Sequence, residues 1–187
     1  MKVMVGISNR HVHLTKEDFK ILFGDQEEIK IKDLKQPGMY ATDNIVVLKG
    51  AKRNIEKVRV LGPLRDYTQV EVSRTDAFTL GINPPIRNSG DLKDACEITI
   101  VGPCGEITRN AAIIATRHIH LDKEQREKYG LVGVEKVSLR INGEKPGIIE
   151  NVYLKETEKA FFEVHLDMDD ANAFLLNNDD EIEIIKD

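Results

Sequence analysis

A duplicated histidine pair constrains this chain more than any other feature of its sequence. The motifs Arg10-His11-Val12-His13 and Arg117-His118-Ile119-His120 contain four of the five histidines in 187 residues. In an extended segment, residues i and i+2 point to the same face, so each motif presents two imidazoles side by side. Histidines that only satisfy hydrogen bonds in a core are the alternative, and the duplication counts against it. We therefore predict that each motif contributes two ligands to a metal site.

The duplication extends along both halves of the chain. The segment 56–60 resembles the segment 150–154, and the two are offset by 94 residues (150 − 56). The histidine pairs are 107 residues apart (118 − 11), so the first copy carries 13 additional residues (107 − 94). A turn signal places these additional residues within the range 32–51. The sequence therefore predicts an internal repeat, with units at about 3–81 and 110–187.

The same offset of 94 residues aligns Glu71 with His165, which is the fifth histidine (165 − 71). An isolated glutamate in a strand is usually an exposed carboxylate, but equivalence to a histidine favours a ligand. Each half then supplies three ligands: His11, His13 and Glu71 in the first, and His118, His120 and His165 in the second. Three protein ligands with an open fourth position are typical of a catalytic zinc site. We therefore predict two zinc ions per chain.

Most of the remaining sequence is typical of short strands. Ten runs are predicted strands: Lys2–Ser8, Asn44–Lys49, Val58–Leu61, Thr68–Ser73, Glu97–Val101, Ala111–Thr116, Lys136–Ile141, Ile148–Leu154, Ala160–Leu166 and Glu181–Ile185. Capping patterns predict short helices after Thr15 and Asp122, ending near Gly24 and Gly130, and a third helix follows Asp169. Many short strands with evenly spaced turns predict a mainly β fold built from barrels or sandwiches.

Composition limits the classes of function. The net charge of −5, an isoelectric point near 5.6 and the absence of Trp argue against broad binding of nucleic acids or anionic membranes. The longest apolar run, Ala111–Ala115, is too short to span a membrane, and the first residues lack an apolar signal-peptide stretch. Cys96 and Cys104 form no CxxC motif. We expect a reduced, cytoplasmic protein, and the composition leaves small-molecule chemistry open.

A set of motifs in a fixed order resembles one known family. The motifs are Val5-Gly6-Ile7-Ser8-Asn9-Arg10-His11-Val12-His13-Leu14, Gln36-Pro37-Gly38, Val58-Arg59-Val60-Leu61-Gly62-Pro63, Arg65, Thr68-Gln69-Val70-Glu71-Val72-Ser73, Arg117-His118-Ile119-His120 and Glu163-Val164-His165. Over nearly the whole chain they are similar to the PduL-type phosphotransacylases, the phosphate propanoyltransferases linked to propanediol utilisation. The resemblance implies interconversion of acyl-CoA plus phosphate with acyl phosphate plus CoA, with two zinc ions per chain.

The resemblance also implies an architecture. The family has two small β-barrels flanked by short α-helices, and the barrels exchange their opening strands. The first barrel would then contain residues 10–115, and the second barrel residues 1–9 and 116–187. Family members from microcompartments carry an N-terminal targeting extension, whereas the matching region here begins almost at Met1. We therefore expect a cytoplasmic, phosphotransacetylase-like enzyme, and the sequence leaves its oligomeric state open, a homo-oligomer included.

The resemblance assigns the metal ligands to the same six positions as the repeat. It places coenzyme A near a further group of residues: Gly6, Ile7, Ser8, Lys32, Arg59 and Asn172. Without the resemblance, Lys32 and Arg59 would be interpreted as solvated surface charges. Phosphate is assigned to Arg65, which follows a Gly-Pro turn six residues before Glu71 (71 − 65). A guanidinium fork suits phosphate oxygens better than a lysine point charge does.

The ligand charges suggest a mechanism at a dinuclear zinc site. Two neutral imidazoles and a carboxylate leave about +1 on a divalent ion, and three imidazoles leave about +2. A metal-held thiolate of coenzyme A would attack the carbonyl of acetyl or propanoyl phosphate by direct transfer. A covalent route through Cys96 or Cys104 is not favoured. A metal-dependent hydrolase on the same ligands and a cupin-like metal-binding barrel without enzymatic activity remain alternatives.

Overall fold

The computed structural model of the chain describes residues 1–185, which fold as two compact units. We call Arg10–Ala115 the first barrel, and we call Met1–Asn9 together with the chain from Thr116 onward the second barrel. The predicted second barrel extends to residue 187, and residues 186 and 187 lie outside the described residues.

Short strands dominate both units. The described residues form fourteen strands: β1 Lys2–Ser8, β2 His11–His13, β3 Lys30–Asp33, β4 Tyr40–Lys49, β5 Asn54–Gly62, β6 Gln69–Glu71, β7 Ile86–Arg87, β8 Cys96–Val101, β9 Glu106–Ala115, β10 His118–Leu121, β11 Lys136–Ile141, β12 Gly147–Glu156, β13 Glu163–Asp167 and β14 Glu181–Ile185. They also form four short helices: α1 Lys16–Phe23, α2 Arg74–Leu80, α3 Lys123–Lys128 and α4 Met168–Ala173. The predicted mainly β fold with short flanking helices is confirmed.

Each unit contains a closed ring of six strands. In the first barrel the hydrogen-bonded order is β4-β5-β2-β6-β9-β8, and β8 pairs with β4 to close the ring. Strands β3 and β7 extend this sheet from β4 and β9. In the second barrel the order is β11-β12-β10-β13-β1-β14, and β14 pairs with β11. Closure satisfies the strand edges that an open sheet would leave unpaired.

The two rings repeat one pairing pattern. Each histidine strand, β2 or β10, runs parallel to one neighbour and antiparallel to the other. His11 stands opposite Glu71 in β6, and His118 stands opposite His165 in β13. The alignment of Glu71 with His165 that follows from the sequence therefore holds in the strand register.

The opening strands are exchanged between the two copies of the repeat. Strand β1 precedes the first histidine motif in sequence, but it pairs with β13 and β14 in the second barrel. Strand β9 precedes the second motif, but it pairs with β6 and β8 in the first barrel. Consequently β1 occupies the place in the second ring that β9 occupies in the first.

Two apolar cores determine which face of each strand carries the histidines. Val12 and Ile119, the middle residues of the two motifs, are fully buried in the cores of the first and second barrels. Because successive residues of a strand point to opposite faces, the imidazoles on either side are directed away from these core residues. A slip of one residue would exchange the two faces, so burial of the apolar residues specifies the register.

The structure differs from the predicted elements in a few places. Helix α2 is absent from the prediction, and β13 begins at Glu163 rather than at Ala160. The extra residues of the first copy include β3, which begins earlier than the expected range 32–51. All four residues of β3 are exposed, so its strand character comes from pairing with β4 rather than from an apolar pattern. Among the described residues, no helix is long and apolar enough to span a membrane.

Candidate metal centres

Three potential ligands converge in the first barrel. His11 and His13 lie on β2, and Glu71 lies directly opposite His11 on the antiparallel strand β6. One donor atom from each residue lies within 4.8 Å of the other two. Nε2 of His11 is 3.5 Å from Oε2 of Glu71, and all three residues are buried. Strand pairing thus brings Glu71 to two histidines that are distant from it in sequence.

An equivalent group lies in the second barrel. His118 and His120 lie on β10, His165 lies opposite His118 on β13, and their donor atoms also lie within 4.8 Å of one another. Nε2 of His118 is 3.1 Å from Nε2 of His120. Nδ1 of His118 is 2.8 Å from the carbonyl oxygen of Thr116. Because a carbonyl can only accept, Nδ1 is the donor in this contact, and Nε2 is the ring nitrogen that faces His120.

Burial keeps two of these imidazoles neutral. Burial lowers the pKa of His13 to about 2, with smaller contributions from the neighbouring His11 and Arg65. Burial also lowers the pKa of His120 to about 2, and the neighbouring His165 adds to the effect. At neutral pH both rings therefore offer a lone pair, which is the protonation state that metal ligation requires.

An ion pair anchors the start of each histidine strand. Arg10, just before β2, donates to Asp76 of α2 at 2.9 Å. Arg117, just before β10, donates two hydrogen bonds of 2.9 and 2.7 Å to Asp170 of α4. Each carboxylate lies in the first turn of the helix that follows the strand carrying the third ligand. Each pair therefore links the two ligand-bearing segments of one barrel.

The donor sets fit a divalent ion such as zinc. Two ligands of a tetrahedral zinc ion, each about 2.0–2.1 Å from it, are about 3.3 Å apart. The donor separations of 3.1 Å in the second triad and 3.5 Å in the first are close to this value. Imidazole nitrogens and carboxylate oxygens are ordinary zinc ligands, and three of them leave a position for water or substrate.

Arg65, predicted to bind phosphate, lies beside the first triad. Its positive charge contributes to the lowered pKa of His13. The backbone N–H of Arg65 donates to the carbonyl of Leu14, the residue after β2, at 2.8 Å. One guanidinium nitrogen donates to the hydroxyl of Tyr67 at 2.8 Å, and the side chain is half-buried. A cationic fork is therefore held next to the first three ligands.

The residues predicted to contact coenzyme A include a group in the second barrel. Gly6, Ile7 and Ser8 lie on β1, where Gly6 stands opposite His165 of the triad. Asn172 is exposed on α4, the helix that follows β13. The strand β1 and this helix therefore both flank the strand that carries the third ligand.

The other two predicted coenzyme A contacts lie in the first barrel. Arg59 stands opposite His11 on β5, and its guanidinium donates to the backbone carbonyl of Thr42. Lys32 is exposed on β3. Arg59 is thus a cross-strand neighbour of a triad residue, whereas Lys32 lies on the added strand next to β4.

The sequence-based prediction misses two buried polar residues beside the triads. Gln69 lies two residues before Glu71 and donates to Oε1 of its carboxylate at 2.6 Å. Glu163 lies two residues before His165, and its Oε2 is 3.0 Å from Nε2 of that ring. The strand period of two would have indicated both, because a residue two positions before a ligand shares its face. The offset of 94 residues also makes them equivalent (163 − 69).

The fold and the two triads define a class of protein in which each of two β-barrels presents three convergent ligands. A family model for phosphate propanoyltransferase matches residues 4–177. The chain is 46% identical to the phosphate propanoyltransferase of Rhodopseudomonas palustris, with 99% of this chain and 83% of that relative covered. It is 44% identical to that of Rhodobacter capsulatus, with 98% and 86% covered, and 45% identical to that of Thermotoga maritima, with 98% and 89% covered. The chain belongs to the phosphate propanoyltransferase family.

Family membership confirms the resemblance identified in the sequence. It makes the chain a transferase and supports a phosphate acyltransferase activity.

Proposed function

We propose that the chain is a zinc-dependent phosphate acyltransferase. It interconverts a short-chain acyl-CoA plus phosphate with acyl phosphate plus CoA, and the acyl group is propanoyl or acetyl. The observation that carries this proposal is the presence of two convergent three-ligand sets in a chain matched to the family over residues 4–177. The three similar proteins are phosphate propanoyltransferases, which supports propanoyl as one acyl group.

Two zinc ions per chain belong to this proposal, one on each triad. When bound, zinc supplies a Lewis acid and favours the thiolate form of a coordinating thiol at neutral pH. His13 and His120 are held neutral by burial, so neither ring has to lose a proton before it ligates. Glu71 adds one negative charge to the first set of ligands.

Arg65 is the proposed phosphate-binding residue. The sulfur of coenzyme A, after loss of its proton to solvent, attacks the carbonyl carbon of the acyl phosphate. A C–S bond forms, and the bond between that carbon and the phosphate oxygen breaks with its electron pair on the phosphate. The guanidinium of Arg65 stabilises this negative charge with charge-assisted hydrogen bonds. Tyr67, which accepts from one guanidinium nitrogen, restricts the orientation of the fork.

The proposed coenzyme A contacts comprise a cationic and a polar group. Lys32 and Arg59 supply positive charge for the phosphates of the nucleotide. The others supply backbone groups and a side-chain amide for hydrogen bonds: Gly6, Ile7, Ser8 and Asn172.

No protein nucleophile takes part in the proposed reaction. Among the described residues, neither cysteine belongs to a convergent ligand group. Cys96 packs against the apolar core of the first barrel, and Cys104 is exposed between β8 and β9, where its N–H donates to the carbonyl of Leu22. Direct transfer between the two substrates therefore needs no acyl-enzyme.

The test follows acyl transfer by the zinc-loaded protein in both directions. Acetyl phosphate or propanoyl phosphate with coenzyme A should yield the acyl-CoA, and either acyl-CoA with phosphate should release a free thiol. The better substrate identifies the acyl group. Release of free acid without coenzyme A would identify a hydrolase instead, and zinc binding without turnover would identify a non-enzymatic metal-binding barrel.

In this assay one variant of the second barrel tests its triad, and another serves as the control. His120→Ala removes a proposed ligand and should abolish transfer. Glu181→Gln neutralises an exposed carboxylate that pairs with Lys2 and should leave the rate unchanged. Equal rates in both variants would contradict a role for the second triad in catalysis.

A further inference from the structure

The third ligand of the first triad is held by a buried amide. Gln69 has no exposed surface, and its Nε2 donates to Oε1 of Glu71 at 2.6 Å and to Oγ of Ser89 at 3.0 Å. The amide oxygen of Gln69 accepts from the backbone N–H of Gly90 at 2.7 Å. Gln69 therefore occupies one carboxylate oxygen of Glu71, while Oε2, the other, lies 3.5 Å from Nε2 of His11.

The equivalent residue of the second barrel is a carboxylate. Glu163 is 3% exposed, stands opposite His120, and has its Oε2 3.0 Å from Nε2 of His165. The convergent ligand group of this barrel consists of three histidines, and Glu163 lies outside it. Glu163 therefore contacts the third ligand of its barrel without being a member of the triad, as Gln69 does in the first barrel.

The carboxylate is the proposed ligand in the Gln69–Glu71 pair, whereas in the Glu163–His165 pair it is the residue that contacts the ligand. In the first barrel an anionic ligand, Glu71, is contacted by a neutral amide that donates to it. In the second barrel an imidazole ligand, His165, is contacted by a carboxylate, which can only accept when it is ionised. An imidazole N–H held by a carboxylate is a recurring support for metal-binding histidines, because it orients the ring and makes the other nitrogen more basic.

Strand β1 leaves room for this carboxylate. Gly6 stands opposite His165, and a Cβ atom added to Gly6 would lie 2.5–2.9 Å from the carboxylate atoms of Glu163. The equivalent position in the first barrel, opposite Glu71 on β9, is the fully buried Ile113. Residue 6 therefore lacks a side chain at the place where the carboxylate of Glu163 lies.

We propose that Glu163 is a positioning residue of the second metal centre. Its carboxylate accepts the Nε2–H of His165, so the lone pair of Nδ1 is available to the ion, and its charge partly balances that of the ion. This inference rests on the proposed metal binding at the second triad. It assigns to Gly6 a role in accommodating Glu163, in addition to the proposed contact with coenzyme A.

The test measures zinc retention in the absence of substrates. The zinc-loaded protein is equilibrated with a series of chelators, and the ions bound per chain are measured by elemental analysis. Glu163→Gln should lower the affinity of one of the two sites by about 10- to 100-fold, which is typical for loss of a ligand-supporting group. Glu181→Gln, the matched change at an exposed glutamate of the same barrel, should retain both ions as the wild type does.

A substitution at Gly6, on strand β1, tests the same carboxylate. Gly6→Ala should displace Glu163 and weaken one site, and the double variant with Glu163→Gln should lose little more than either single change. If Gly6 only contacted coenzyme A, Gly6→Ala would not alter zinc retention in this assay. Additive losses in the double variant would contradict the proposed relation between Gly6 and Glu163.

The tautomer of His165 can also be measured in the wild type. Long-range proton–nitrogen spectra of the zinc-loaded protein, with His165 identified by its absence in His165→Ala, should show the proton on Nε2. A proton on Nδ1 would overturn the proposed role of Glu163 but not the proposed metal centres. Two sites of unchanged affinity in Glu163→Gln would do the same. A wild-type chain that bound no zinc would overturn the proposed metal centres and this role with them.

Discussion

At the scale of single residues, the two proposed metal centres differ in where each places its carboxylate. The ligands alone predict about +1 on the first ion and about +2 on the second. In its proposed role, Glu163, which is buried in contact with His165, would add a negative charge beside the second triad that the ligand count omits. With this charge included, the expected local sum would be about +1 in both barrels. The expected charge difference between the two centres is therefore reduced.

Loss of a third ligand should empty one centre and spare the other. His165→Ala and Glu71→Ala should each leave one zinc ion per chain, because the two triads are built from different strands of different barrels. Elemental analysis after dialysis measures the bound ions, and the doubly substituted chain should bind none. Two ions in either single variant would show that the corresponding residue is not a ligand.

Arg65 provides a prediction about phosphate. Arg65→Ala should reduce kcat/KM for acyl phosphate or phosphate by about 30- to 1,000-fold, since a charge-assisted contact in the transition state contributes about 2–4 kcal/mol. Zinc content and coenzyme A affinity should stay near the wild-type values. Arg74→Ala, which removes an exposed guanidinium bonded to Asn83 in the same barrel, is the matched control. Normal phosphate kinetics in Arg65→Ala would place the phosphate elsewhere.

At the scale of elements, β1 pairs with the strand that carries the third member of the second triad. It lies between β13 and β14 in the closed ring and places Gly6 opposite His165. Val3 and Val5 of β1 are buried in the core of the second barrel. The second triad therefore depends on a strand that precedes the first histidine motif in sequence.

Disruption of β1 should affect the second centre alone. Val5→Asp would bury an unpaired carboxylate at a site with no exposed surface, which costs several kcal/mol and opens the ring of the second barrel. The first barrel contains no residue of β1, so its ion should be retained. Elemental analysis and amide hydrogen exchange measure the two effects. Lys2→Asp, at an exposed position of the same strand, is the control, and loss of both ions in Val5→Asp would contradict this prediction.

At the scale of the whole molecule, the repeat provides two similar barrels, each with one triad. The proposed reaction requires no nucleophile from the protein. The double variant Cys96→Ser, Cys104→Ser should therefore remain active, with a rate within about twofold of the wild type. Acyl phosphate added without coenzyme A should leave no acyl group on the protein, as measured by mass spectrometry of its peptides. An acylated peptide containing either cysteine would require a covalent route.

The sequence by itself determined the strand character of most segments, the repeat and the residues of the two convergent groups. Strand character follows from local apolar patterns, and the equivalence of Glu71 and His165 follows from one constant offset. The i, i+2 geometry of a strand then places each histidine pair on one face without any knowledge of distant contacts. Segments without a local apolar pattern, such as the exposed β3, escaped this reasoning.

Apart from the strand exchange that the family resemblance implied, only the tertiary structure decided which strand closes which barrel and what surrounds each ligand. The closing hydrogen bonds of β1 join it to β13 and β14, at the far end of the sequence, and no local pattern specifies such a partner. The same holds for Glu163, whose burial results from packing against His165 and the side-chain-free position of Gly6. In a closed ring of strands, backbone pairing and side-chain burial depend on neighbours that only folding brings together.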